Sequence, residues 1–316
     1  MWDNLIFSVN VVLPIFIMIL LGFIGRRVGI LEKEMMEKLA GLTFRYFLSV
    51  KIALSTYKAD MRHVPGMRMC VFCMIGLTVC FIVIWLLAHR FLKKKESVGS
   101  FVHCSFRGSI TVLGLSLATN LAGDEGAALC APLIAFCSIL NNVLAVICLS
   151  KTPKDGNKGR ELARAAVRVL KNPMILGAAA GTAASLLRLP CPTVLLTPLE
   201  YLASLAVPLS LLCIGAALTP EAVKRSGSYA LGAALIKTVG MAAVTLPIAA
   251  ALGFRGTELA IIGFFFLLAN PSGCYVMTLA MDGDADLAAS ATVLSTAISV
   301  FTVTLMLWIL KTLALI

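Results

Sequence analysis

The sequence is short of acid. Its 316 residues carry 16 Asp and Glu against 27 Lys and Arg, and charge of either sign accounts for only 14% of the chain. A soluble protein of this length needs a far more polar surface, so that class is excluded. HExxH, GxSxG and paired acids within an apolar run are all absent, which removes the commonest signatures of hydrolytic enzymes. The three histidines, His63, His89 and His103, fall near the predicted edges of apolar runs. A cleavable leader is not expected, because Trp2 and Asp3 precede an apolar stretch too long for a signal core. One CxxC, Cys70-Val71-Phe72-Cys73, opens an apolar run without a second pair or a neighbouring His. The ten cysteines therefore read as small hydrophobes, and neither a metal nor a cofactor is expected.

What the chain has is apolar length. Hydrophobic residues make up 59% of it and the mean hydropathy is +0.95. The runs reach the roughly 20 residues that a helix needs to cross a bilayer. The pattern predicts an all-α integral membrane protein with ten transmembrane helices. The first five cover 5–25, 39–57, 68–88, 101–121 and 128–149; the second five cover 173–189, 195–218, 229–250, 258–280 and 288–310. Residues 1–150 then form one five-helix repeat and 173–316 the other, joined by a basic cytoplasmic linker over 151–172.

Positive charge orients this arrangement. The loops after helices one, three, five and seven hold 17 of the 27 basic residues, among them Arg26, Arg27, Arg90 and Lys93, and seven between Lys151 and Lys171. The opposite side holds six: Lys58, Arg62, Arg68, Arg188, Arg255 and Lys311. Both termini are expected on the non-cytoplasmic side of a cell membrane, the bacterial cytoplasmic membrane being the natural setting. The net charge of +11 is spread over these loops rather than gathered on one face, so the bilayer is the expected partner and nucleic acid is not.

Five spans per half make the second half run inverted relative to the first, an architecture of many secondary transporters. Corresponding positions carry helix-loosening residues: Leu48-Ser49-Val50-Lys51 against Ala206-Val207-Pro208-Leu209, and Gly114-Leu115-Ser116-Leu117 against Ala269-Asn270-Pro271-Ser272-Gly273. A proline inside a helix removes an amide and frees carbonyls, which lipid cannot satisfy. Such interruptions are tolerated where they face protein or a cavity, so Asn270-Pro271-Ser272 is the leading site segment. For Pro208, a kink used only for packing is an equal reading.

The order and spacing of these motifs resemble the auxin efflux carrier family, over nearly the whole chain. Leu13-Pro14-Ile15-Phe16, Leu21-Gly22 and Gly29-Ile30-Leu31 resemble its N-terminal signature. Phe106-Arg107-Gly108-Ser109 resembles its fourth span, Asn172-Pro173 its sixth, and Pro208 with Ile214-Gly215 its seventh. Asn270-Pro271-Ser272, Gly283-Asp284 and Leu294-Ser295-Thr296 resemble the last two. The resemblance implies a ten-helix inverted repeat with spans four and nine crossing as discontinuous helices. Its prokaryotic members are often described as malonate or dicarboxylate transporters. This chain departs from the family where Ser49 and Ser116 stand in place of proline, Ser109 in place of asparagine and Thr111 in place of glycine.

Charge within a span needs a reason, since each such residue costs about 2.5–3.5 kcal/mol on insertion scales. Lys51 is about two turns from either end of its span, too deep to snorkel easily. Arg107 admits two readings: it lends positive potential to a central cavity, or it snorkels to the interface. Lys237 likewise snorkels or pairs with an acid, for which Glu200 is the clearest neighbour of a span. Asn141 and Asn142 serve either helix–helix hydrogen bonds or, with Asn270, a coupling ion such as Na⁺. The expected function is secondary transport of a small organic anion, a carboxylate or dicarboxylate or an auxin-like molecule, by alternating access. The substrate-binding candidates are Ser49, Lys51, Arg107, Ser109, Ser116, Pro208, Asn270, Pro271 and Ser272. Coupling to Na⁺ or H⁺ stays open. The competing reading is a non-transporting sensor or scaffold, motivated by the serines at 49 and 116. A homodimer is admitted by the Gly177–Gly181 spacing, which packs helices either within or between protomers.

Overall fold

The computed structural model describes residues 2–58, 66–150, 167 and 171–316, with the backbone alone for 2–12, 33, 112, 220–223, 225 and 226. Every regular element among the described residues is helical. The helix α1 spans Trp2–Arg27, and α2 (Lys33–Leu42) continues through a π-helical turn, Thr43–Leu48, into α3 (Ser49–Lys58). Then come α4 (Met67–Phe91), α5 (Val98–Phe106), a π-helical turn at Ile110–Gly114, and α6 (Leu115–Leu149). The second set begins with α7 (Pro173–Leu186) and α8 (Thr193–Ala217). It continues with α9 (Pro220–Leu235), a π-helical turn at Ile236–Gly240, and α10 (Met241–Ala251). The last three are α11 (Gly256–Leu267), α12 (Gly273–Ala280) and α13 (Ala285–Thr312). Most of the linker expected at 151–172 lies outside the described residues.

Five stretches are long and apolar enough to cross a membrane: Met67–Phe91, Leu115–Leu149, Thr193–Ala217, Gly227–Ala251 and Ala285–Thr312. Shorter apolar helices occupy Pro173–Leu186 and Gly256–Leu267. Their outer faces are as apolar as their inner ones. On α4, Met69, Cys73, Leu77, Phe81 and Ile84 face the core while Val71, Ile75, Val79, Ile82 and Leu86 are exposed. A helix apolar all round that is not wholly buried belongs in lipid. The core itself holds no Asp or Glu among the described residues, and the ion pairs Lys38–Glu34 and Lys58–Glu200 are at the surface.

Two helix pairs are held at backbone contact by glycine, in reciprocal fashion. Helix α1 packs on α8, where a Cβ on Gly22 would lie 2.3 Å from the Leu212 carbonyl oxygen and one on Gly215 1.9 Å from that of Ile19. Helix α7 packs on α3, with Gly177 against the Ser49 carbonyl and Gly181 against that of Ala53. Gly177 and Gly181 thus serve a contact within one chain. At Ala122 and Gly123, α6 leaves helical geometry (Gly123 φ 57°, ψ −136°), and Gly126 comes against the Ala118 carbonyl. That backbone conformation is essentially restricted to glycine, and here it turns the chain back on itself.

Helix α12 is separated from α11 by Leu268–Ser272, and α5 from the following π-helical turn by Arg107–Ser109. Asn270 precedes a proline and is disfavoured in the helical region, which accounts for the interruption before α12. The one after α5 has no proline. It falls at Arg107–Ser109 rather than at Ser116, where the sequence placed it; Ser116 lies inside α6. Helices also run unbroken through Ser49 and Pro208. At Ser49 the preceding π-helical turn absorbs the disturbance, and the hydroxyl donates to the Phe44 carbonyl at 3.2 Å. Pro208 removes one amide from a 25-residue helix whose neighbouring turns persist.

Candidate functional site

The two interruptions meet. The Ser109 amide donates to the Ala269 carbonyl at 2.9 Å, one break to the other. The Asn270 side chain reaches back from the second break and donates through Nδ2 to the carbonyls of Cys104 (2.6 Å) and Arg107 (2.9 Å). Those carbonyls belong to the last turn of α5 and the residue after it, where a helix end leaves acceptors unpaired. Asn270 thus caps α5 from a distance of over 160 residues in sequence. Its own amide donates to Ser295 Oγ on α13 at 3.1 Å.

The end of α11 is capped differently. Lys237, 1% exposed, comes from the π-helical turn before α10 and donates through Nζ to the carbonyls of Phe265 (3.1 Å) and Phe266 (3.0 Å). Neither snorkelling nor a carboxylate partner is involved, because those carbonyls lost their amide partners when the helix stopped. Glu200 is occupied by Lys58 instead. Gly108 completes this contact: a Cβ there would sit 2.8 Å from Lys237 Cε and Nζ. A side chain at 108 would push the ammonium from its present position.

Arg107 is buried and points inward. Its Nη2 donates to Asn142 Oδ1 at 2.8 Å, and its Nη1 faces His103 Nε2 at 3.3 Å and Met277 Sδ at 3.2 Å. The other nitrogen of His103, Nδ1, meets Thr278 Oγ1 on α12 at 3.1 Å. His103 is fully buried. Sequence reasoning put it at a membrane edge because span four was expected to start at 101; the helix starts at Val98 and stops at Phe106, leaving His103 next to the break.

Charge at this junction can be counted. Two helix C-termini (α5 and α11) and two N-terminal ends meet there, contributing about −0.5 and +0.5 each, which cancels. Arg107 adds a full positive charge and Lys237 a second basic group, with no buried carboxylate among the described residues. The junction is electropositive.

The remaining candidates divide. Ser109, Asn141, Asn142 and Asn270 are buried, and Pro271 and Ser272 are half-buried at the second break. Asn141 Oδ1 and Asn270 Oδ1 are buried acceptors with no donor among the described residues. Lys51 is half-buried and makes no hydrogen bond or ion pair among the described residues. Ser116 and Pro208 are exposed rather than buried at the junction. Lys237, His103, Thr278 and Ser295 were not among the candidates; the charge of Lys237 within a span and the Leu294-Ser295-Thr296 motif were the signals that pointed to two of them.

A family model described as "Membrane transport protein" matches residues 7–309. The chain belongs to the membrane transport protein family. This is the family of the auxin efflux carriers, which the motifs resembled. An uncharacterized transporter of Methanocaldococcus jannaschii is 24% identical over 319 residues, spanning 95% of this chain and 98% of that protein. Family and apolar helices together make this a multi-pass membrane transport protein.

Proposed function

We propose that the protein is a secondary transporter of a small organic anion, a carboxylate or dicarboxylate, bound at the junction of the two interrupted helices. The observation that carries this reading is the pair of buried cations, Arg107 and Lys237, with no acid in the described core. An unpaired buried charge is strongly disfavoured, and a carboxylate ligand supplies the complement through charge-assisted hydrogen bonds. Lys51, half-buried without a polar partner among the described residues, adds to the same potential. Ser109, Asn270, Pro271 and Ser272 shape the site, since their segments are the ones that meet. Na⁺ is disfavoured at Asn142, whose carbonyl oxygen already serves Arg107; Asn141 and Asn270 keep an acceptor each.

The proposed frame is ten spans in two inverted halves, 1–150 and 173–316, with the basic linker cytoplasmic, both termini on the other side of a bacterial cytoplasmic membrane, and spans four and nine crossing at the junction. The glycine contacts support it: α1 on α8 and α7 on α3 are the same pair of positions taken once from each half. Alternating access then moves these tightly packed units against the helices that bear the breaks. The sensor reading loses its motive, because an interrupted helix survives in the first half without a proline.

Purified protein in liposomes tests this. Uptake of malonate, malate or succinate is expected under a Na⁺, proton or voltage gradient; absence of uptake under all three overturns the substrate class.

A further inference from the structure

We propose that His103 is a proton-binding site that loads together with the anion, so that substrate and proton are carried in one step. This rests on the reading of the junction as an anion site.

The argument is one of donors and acceptors. A guanidinium has only donors, so His103 Nε2, 3.3 Å from Arg107 Nη1, is the unprotonated nitrogen. The ring proton sits on Nδ1 and is donated to Thr278 Oγ1. A second proton has one place to go, Nε2, which faces Arg107. Protonation there sets two N–H groups and two positive charges against each other, and the contact breaks. A carboxylate placed between them accepts from both, turning a repulsive pair into a clamp. Proton and anion therefore each favour the other, and linkage makes the coupling reciprocal. The Arg107–Asn142 bond holds the guanidinium in place while this happens.

Other ionisable groups surround the ring. Arg107 and Cys104 lie on its own segment, Cys274 on α12 next to it, and Cys148 on α6 near Arg107. Lys237 and Cys80 of α4 form a neighbouring pair, Tyr229 comes from α9, and Asp284, before α13, caps that helix and binds Ser97 and Ser100 at the start of α5. None of these stands between His103 Nε2 and Arg107, so the imidazole is the group whose proton the anion meets.

The test uses the full chain in detergent, with malonate as the probe, between about pH 7 and 8.5, above the carboxylate range. Binding is expected to take up about one proton, read with an indicator dye in weak buffer, and affinity is expected to fall about tenfold per pH unit. H103Q keeps an acceptor for Arg107 and holds no proton, so its binding should be proton-neutral and flat with pH. C274S should take up the proton as the wild type does. Malonate binding without proton uptake in the wild type, or uptake that survives H103Q or disappears in C274S, overturns the inference and leaves the anion site standing. Absence of binding of malonate and of succinate at every pH overturns the anion site itself. Should H103Q not fold, K237M decides: proton uptake that persists in it supports His103, and uptake lost with it overturns the inference.

Discussion

Replacing Lys237 by Met separates the two jobs its ammonium performs. In the wild type, Nζ donates to the Phe265 and Phe266 carbonyls at 3.1 and 3.0 Å, deep in the core. Removing it leaves two buried acceptors unpaired, at about 1–3 kcal/mol each. It also removes an ammonium whose desolvation costs several kcal/mol, with the opposite sign. Met fills nearly the same volume, so no cavity is added to the balance. The two effects largely offset, and the apparent melting temperature of K237M should stay within about 5 °C of the wild type. Binding has no such offset. Losing one charge-assisted contact to a carboxylate costs about 1.5–3 kcal/mol, or about 10- to 150-fold in malonate affinity. A thiol-reactive dye reads the unfolding, since eight of the ten cysteines are buried and become reactive only when the core opens. Malonate affinity within about twofold of wild type would show that Lys237 is a helix cap and nothing more.

Other perturbations follow from the same contacts. Asn142→Leu removes the acceptor of Arg107 Nη2 and should cost about 1.5–3 kcal/mol of stability; a double-mutant cycle with Arg107→Met should show coupling, and strict additivity would contradict the 2.8 Å bond. Gly215→Ala places a Cβ 1.9 Å from the Ile19 carbonyl and should lower the melting temperature, by at least the about 1–3 kcal/mol typical of overpacking. Gly41→Ala, with nothing within 4 Å, is the control and should be neutral or stabilising. Ser49→Pro should fold and cost less than the about 3 kcal/mol of a helix-interior proline, because the π-helical turn before it has already shifted the hydrogen bonds; a loss of folded protein would refute that.

The interruption in the second half was legible because Asn270-Pro271 is a local instruction: one residue lacks an amide, and its predecessor avoids the helix. The interruption in the first half was misplaced by several residues. The correspondence between the two halves put it at Gly114-Leu115-Ser116-Leu117, yet the chain stops being helical at Arg107. No residue from 107 to 109 forbids a helix. What ends it is a set of partners from elsewhere: Asn270 taking the carbonyls of Cys104 and Arg107, and Ala269 taking the Ser109 amide. Gly108 was quoted as part of a motif, but its use is visible only with Lys237 against it. Asp284, also quoted as part of a motif, caps α13 by accepting from the Leu287 amide.

Taken alone, the sequence determined that this chain belongs in lipid and roughly where its helices run, because bilayer thickness and the cost of burying polar groups act on every residue locally. It marked Arg107 and Lys237 as charges within spans, and left open whether each snorkels to the interface or finds a partner inside. Which partners they have was decided by the tertiary structure. Helices apolar on every side carry no periodic signal that says which face meets which neighbour. Apart from Arg107 with His103, the contacts that define the junction join residues 25 to 175 positions apart. Only when the two interrupted helices are brought together does His103 become the neighbour of Arg107 and Thr278, and two unconnected cations become one electropositive site.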